Sequence, residues 1–191
     1  MKIYCCVYFL IFIFLIISSC SDRNSGDKSP EILVASDVLD SNYHKKNFDS
    51  LIITIDRETA SNLDRSEEFL GNGNFLSIYD HSAFYLEDAI NFISNDSLTG
   101  RRPFICILAM QNLPVKDYVR FCNALAELYE ENKIKESLLK NAIMPNFLDK
   151  RIIIMNYNNA SVVKLLERIR NNKEITREFK DDIEDILLGK L

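Results

Sequence analysis

The chain has 191 residues, with 23 lysines and arginines against 28 aspartates and glutamates, for a net charge of −5. That balance argues against nucleic acid as a ligand and against purely electrostatic adhesion to anionic lipid, since both need a surplus of cations. A chain of this length is expected to build one domain with its own core.

Residues 1–19 read as an export signal. Lys2 supplies a minimal positive start, Ile3 to Ile17 form an almost unbroken apolar run, and small residues close it. The run is shorter than the ~20 residues of a membrane span. Its last residues, Ile17-Ser18-Ser19-Cys20, resemble the lipobox of bacterial lipoproteins, where an aliphatic residue and two small ones precede an invariant cysteine. Ile17 and Ser19 stand where Leu and Gly or Ala are commoner. The resemblance implies that Cys20 is lipidated on sulfur, becomes the mature N-terminus and holds the protein to the cell envelope. Under the usual sorting rule of diderm bacteria, Ser21 after the cysteine implies the outer membrane, with the domain in the periplasm or on the cell surface.

Residues 20–40 are expected to be the lipidated cysteine and a flexible tether, since Ser21–Pro30 (SDRNSGDKSP) is too polar to order itself. Ten such residues span roughly 15–20 Å. Residues 41–191 are then the folded domain. Losing Lys2 with the signal makes the mature chain slightly more acidic, which suits a basic protein partner.

Helical periodicity recurs along this domain. Asp80–Ser94 places Leu86, Ala89, Ile90 and Ile93 together, with Asp80 as the expected cap. Val115, Tyr118, Cys122, Leu125 and Tyr129 share a face of Pro114–Glu131, and Pro114 suits a first turn. Lys133–Ile143, Ser161–Arg170 and Ile175–Leu188 follow, the last with Thr176 as cap and Gly189 beyond its end. Three apolar runs are ambiguous: 51–55 (LIITI), 104–110 (FICILAM) and 152–155 (IIIM) suit buried helices or buried strands. Short connections such as Gln111-Asn112-Leu113 and only five glycines favour an all-α fold of antiparallel hairpins, stacked as a bundle or short solenoid. The alternative is an α/β fold with strands in those three runs. From Pro103 to Leu188 the alternation of buried helix, proline-marked turn and amphipathic helix is similar to helical-repeat (HEAT-like) proteins, which implies an interaction surface.

Chemistry-bearing residues are sparse, and the sequence points to no catalytic residue, metal site or cofactor. His44 and His81 lie far apart without partners at metal-ligand spacing. Gly71-Asn72-Gly73-Asn74 lacks the pattern of a phosphate-binding loop and reads as a turn. Of five cysteines, only Cys106 and Cys122 fall in the domain. In a helical hairpin turning at Leu113-Pro114 they reach similar heights, so a disulfide is geometrically possible if their Cα atoms approach within about 7 Å. The competing reading is a pair of small buried hydrophobes. Asp181, Asp182 and Asp185 share a helix face and form the candidate surface for a basic partner.

These features imply a lipid-anchored, non-enzymatic protein-binding module of the envelope. In address and architecture it is similar to the lipoprotein immunity proteins that neutralise periplasmic toxins. An envelope scaffold, or a small periplasmic hydrolase on the α/β alternative, are the competing expectations.

Overall fold

Asn47 opens the first helix by turning its side-chain oxygen onto the Ser50 N–H at 2.8 Å, which satisfies a donor the helix itself leaves unpaired. The computed structural model describes residues 44–59, 66–95, 100–145 and 151–191. Every regular element among them is helical. The signal at 1–19 and the tether at 20–40 lie outside the described residues.

Helix α1 spans Phe48–Glu58 and α2 spans Ser66–Leu70. Helix α3 runs Gly73–Asp80, α4 Ser82–Asn95 and α5 Arg102–Ala109, the last continuing into a 3-10 turn at Met110–Asn112. Helix α6 spans Val115–Glu130, α7 Glu136–Ile143 and α8 Ile152–Met155. Helices α9, Ala160–Asn171, and α10, Arg177–Leu187, complete the bundle.

The all-α reading therefore holds, and the strand alternative for 51–55, 104–110 and 152–155 fails. Leu51, Ile52 and Ile55 of α1 are buried at helical spacing, and the hydroxyl of β-branched Thr54 bonds the Ser50 carbonyl one turn back. Residues 104–110 look aperiodic for a different reason. Helix α5 is central: it packs against α1, α3, α4 and α7, so the stretch past its first turn has no polar face. Ile105 to Ala109 are all at most 2% exposed.

Two local expectations are corrected. Asp80 does not cap a helix but ends α3, and His81 separates α3 from α4. The chain turns there because the His81 N–H bonds the Ile78 carbonyl while the His81 carbonyl accepts from Phe84. Nor is Gly71–Asn74 only a turn. Asn72 caps α3 by accepting from the N–H groups of Asn74 and Phe75, both at 3.0 Å, so Gly73 already lies in helix.

Helix ends are closed as the sequence suggested. The Thr176 hydroxyl accepts from Phe179 N–H. Past α10, Gly189 takes φ +64°, and the Gly189 and Lys190 N–H groups reach the Ile186 and Asp185 carbonyls. Asn132 plays the same part after α6 at φ +58°, with Lys133 N–H on the Leu128 carbonyl.

One hydrophobic core runs through the bundle. Helix α6 packs on α4, α7, α8 and α9, and α9 on α6 and α10. Two polar clamps fix the last two helices. Arg168 of α9 holds Glu130 at 3.0 and 2.7 Å and Glu127 at 3.3 Å on α6. Lys140 of α7 holds Glu178 at 2.9 Å and Asp182 at 2.7 Å on α10, with its ammonium 5.8 Å from the Phe179 ring centroid.

Candidate functional site

The acidic helix α10 does present Asp181, Asp182 and Asp185, but intramolecular cations meet all three. Asp182 pairs with Lys140 at 2.7 Å, Asp185 with Lys190 at 3.2 Å, and Asp181 lies 3.9 Å from Arg177. Glu184, in the same cluster, pairs with Arg170 across to α9. The Asp181 and Asp185 pairs are exposed surface pairs, whereas Asp182 serves the joint between α7 and α10. Cys20 lies outside the described residues.

Cys106 and Cys122 are buried, free thiols. The hairpin of α5 on α6 that would have matched their heights is not how the helices are arranged. Helix α5 packs chiefly on α1, α3, α4 and α7, and α6 on α4, α7, α8 and α9. The Cys106 Sγ instead lies 3.8 Å from the Ala89 carbonyl of α4. Burial pushes both thiols well above the ordinary range, with the Asp49 charge adding to the effect on Cys106. Neutral thiols are poor nucleophiles and poor metal ligands.

His44 is exposed, and the His81 ring is half-buried with Nδ1 3.2 Å from the Ser77 carbonyl. Among the described residues, no group of three or more His, Cys, Asp or Glu is placed to hold a metal ion, and no helix is long and apolar enough to cross a membrane.

Two clefts stand out among the described residues. One, of about 660 Å³, lies where the start of α1 meets α4 and α5, and Lys45, Asp49, Asp88, Asn91 and Arg102 are among its lining. Its charges are mixed and mostly matched: Lys45 pairs with Asp88 at 2.6 Å and Arg102 with Asp56 at 3.2 Å. Neither histidine lines it.

The second cleft, of about 630 Å³, is a groove between α6 and α9. Each helix contributes the same stripe. Lys116, Val119, Arg120 and Asn123 come from α6, and Ser161, Lys164, Leu165 and Arg168 from α9, both at i, i+3, i+4, i+7 spacing. Val119 and Leu165 are buried and form the floor. Arg168 donates to the Asn123 side-chain oxygen at 3.4 Å and so closes one end of the groove, while Lys116 lies towards the other. None of the lining residues is acidic. Four cations thus gather on a protein whose overall charge is negative.

The groove was missed because the sequence was weighed by net charge. Its signal is present, as Lys-x-x-x-Arg occurs at Lys116–Arg120 and at Lys164–Arg168, although Lys173–Arg177 carries the same spacing outside the groove. The 40-odd intervening residues hide that the two copies face one cleft.

The cations differ in how firmly they are held. Hydrogen bonds to Glu130, then to Glu127, raise the already high pKa of Arg168, so it is a fixed part of the α6–α9 joint. Arg120 has an exposed ion pair with Glu87 of α4. Lys116 and Lys164 are exposed and make no ion pair with the described residues. Set against family models, curated proteins and solved structures, the chain finds no match.

Proposed function

We propose that this chain is a lipid-anchored, non-enzymatic binding module of the bacterial cell envelope, which captures a protein partner close to the membrane. The observation that carries the reading is the sequence Ile17-Ser18-Ser19-Cys20 at the end of an apolar export segment. The polar stretch that follows would set the domain within about 20 Å of the lipid. An all-α bundle with an open, charge-lined groove between α6 and α9 supports binding as its task. The narrower form of this reading is immunity against a toxin delivered to the periplasm, on the likeness in address and architecture.

The anchor and the binding role are tested separately. The wild-type chain is expected to incorporate labelled palmitate and to fractionate with membranes, while Cys20→Ala does neither. Membrane fractionation of Cys20→Ala without label uptake would remove the anchor from the proposal. Crosslinking in envelope fractions is expected to trap one discrete partner. The immunity form further requires a toxin gene beside this one and rescue of growth on co-expression.

A further inference from the structure

We infer that the α6–α9 groove is the recognition site and that its ligand is an acidic, partly apolar peptide segment of the protein partner. The inference rests on the binding-module reading and specifies its partner. It reverses the electrostatic expectation drawn from net charge.

The argument begins with spacing. Lys116 and Arg120 are one helical turn apart, about 6 Å along α6, and Lys164 and Arg168 repeat this on α9. Carboxylates on alternate residues of an extended segment recur every ~6.6 Å along one side of it. A strand laid along the groove therefore meets Lys116 and Arg120 from one wall and Lys164 from the other, Arg168 being already held by Glu130 and Glu127. The floor of Val119 and Leu165 is apolar, which suits an aliphatic side chain placed between the carboxylates.

Accessibility comes next. Lys116 and Lys164 make no ion pair with the described residues, so an incoming carboxylate displaces only water from them. The Arg120–Glu87 pair is more than half exposed on both sides, the kind of surface pair that contributes little and exchanges readily. Arg168 stays fixed by Glu130 and Glu127 and acts as the rigid end of the groove. Charge pairs of this exposure chiefly affect encounter rate and specificity, so binding is expected to weaken steeply with salt. A flat lipid surface would reach the rim lysines but not the buried floor, which favours a peptide as occupant.

The test uses the full-length protein in neutral detergent and a fluorescein-labelled octapeptide of six glutamates and two leucines. A version with lysine for glutamate and one with serine for glutamate are the controls. Fluorescence polarisation is expected to show saturable binding of the acidic peptide at about 50 mM salt, weakened at least tenfold at about 300 mM. Lys116→Glu/Lys164→Glu should weaken it by tenfold or more with unchanged far-UV circular dichroism. Each single reversal gives an intermediate loss. Equal affinity in the double variant, or equal binding of the serine peptide, overturns the inference. So does saturable, lysine-dependent binding of soluble dihexanoyl phosphatidylglycerol without binding of the acidic peptide, which would make the ligand a lipid headgroup. The envelope crosslink separates this inference from the reading beneath it. A partner trapped equally by wild type and double variant removes the groove but leaves the binding module, whereas no partner in either removes the module itself.

Discussion

Replacing Lys140 with methionine tests whether the last helix is held by a charge clamp or by packing alone. Methionine keeps most of the aliphatic stem, so the loss is confined to the ammonium. That group lies 2.7 Å from Asp182 Oδ2, 2.9 Å from Glu178 Oε1 and 5.8 Å from the Phe179 ring centroid. The three contacts are unequal. Glu178 is 83% exposed, and such a pair is worth about 0.3 kcal/mol. The cation over Phe179 adds about 0.5 kcal/mol. The Asp182 oxygen dominates, because it is sealed from water and the Lys140 ammonium is the group that compensates it, so losing that counter-ion costs about 1–2 kcal/mol. The total is about 2 kcal/mol, or roughly 4–8 °C in Tm for a domain of this size. Urea denaturation followed by circular dichroism at pH 7 reads it. A double-mutant cycle with Asp182→Asn should return a coupling of about 1 kcal/mol. The hydrogen bonds to Asp182 and then Glu178 raise the Lys140 pKa above its ordinary 10.5, so the native state holds this proton more tightly than the unfolded chain. The clamp's contribution is therefore present in full below pH 10.5 and lost as pH rises through the folded value. A loss under 0.5 kcal/mol with no coupling to Asp182 would show that the oxygen is hydrated and the reasoning wrong.

Four further outcomes are expected. Gln111 is fully buried with neither its side-chain oxygen nor its nitrogen hydrogen-bonded among the described residues, so Gln111→Met should raise stability by about 1 kcal/mol; a comparable loss on urea denaturation would refute this. The Tyr118 hydroxyl donates to the Ala142 carbonyl at 2.8 Å, in the last turn of α7 where that carbonyl has no helical partner, so Tyr118→Phe should cost about 1.5 kcal/mol and an unchanged urea midpoint would contradict the assignment. Burial raises the Cys106 and Cys122 pKa values above the ordinary 9.0, so the unfolded chain loses these protons first and stability is retained below pH 9. Above pH 9 it should fall by about 1.4 kcal/mol per pH unit for each thiol, and Cys122→Ala should halve the slope; a flat urea midpoint from pH 8 to 10 excludes the effect. Gly189 has φ +64°, and a Cβ there would sit 3.0 Å from the Tyr157 ring, so Gly189→Ala should cost about 1–2 kcal/mol, read as a lower Tm.

The faces of the amphipathic helices were legible because helical periodicity is a local property. Leu86, Ala89 and Ile93 of α4, Val162, Leu166 and Ile169 of α9, and Phe179, Ile183 and Ile186 of α10 are all buried as their spacing required. Phe104–Met110 was not legible, because a helix packed on four sides has no polar stripe to set a period. The break at His81 was hidden as well, since α3 and α4 are both amphipathic and the turn rests on backbone hydrogen bonds.

The sequence alone favoured the helical class and placed the caps at Thr176 and Gly189, because each depends on residues within a few positions of one another. The tertiary structure decided which charges remain available. Lys140 reaches Asp182 from 42 positions away and Arg170 reaches Glu184 from a neighbouring helix, so two carboxylates of the acidic run on α10 are tied into joints between helices. The same packing sets Lys116 and Arg120 opposite Lys164 and Arg168, on helices that meet only in the folded bundle. Net charge adds over the whole chain, but a partner meets the local field of a surface, and only packing sets which side chains share one.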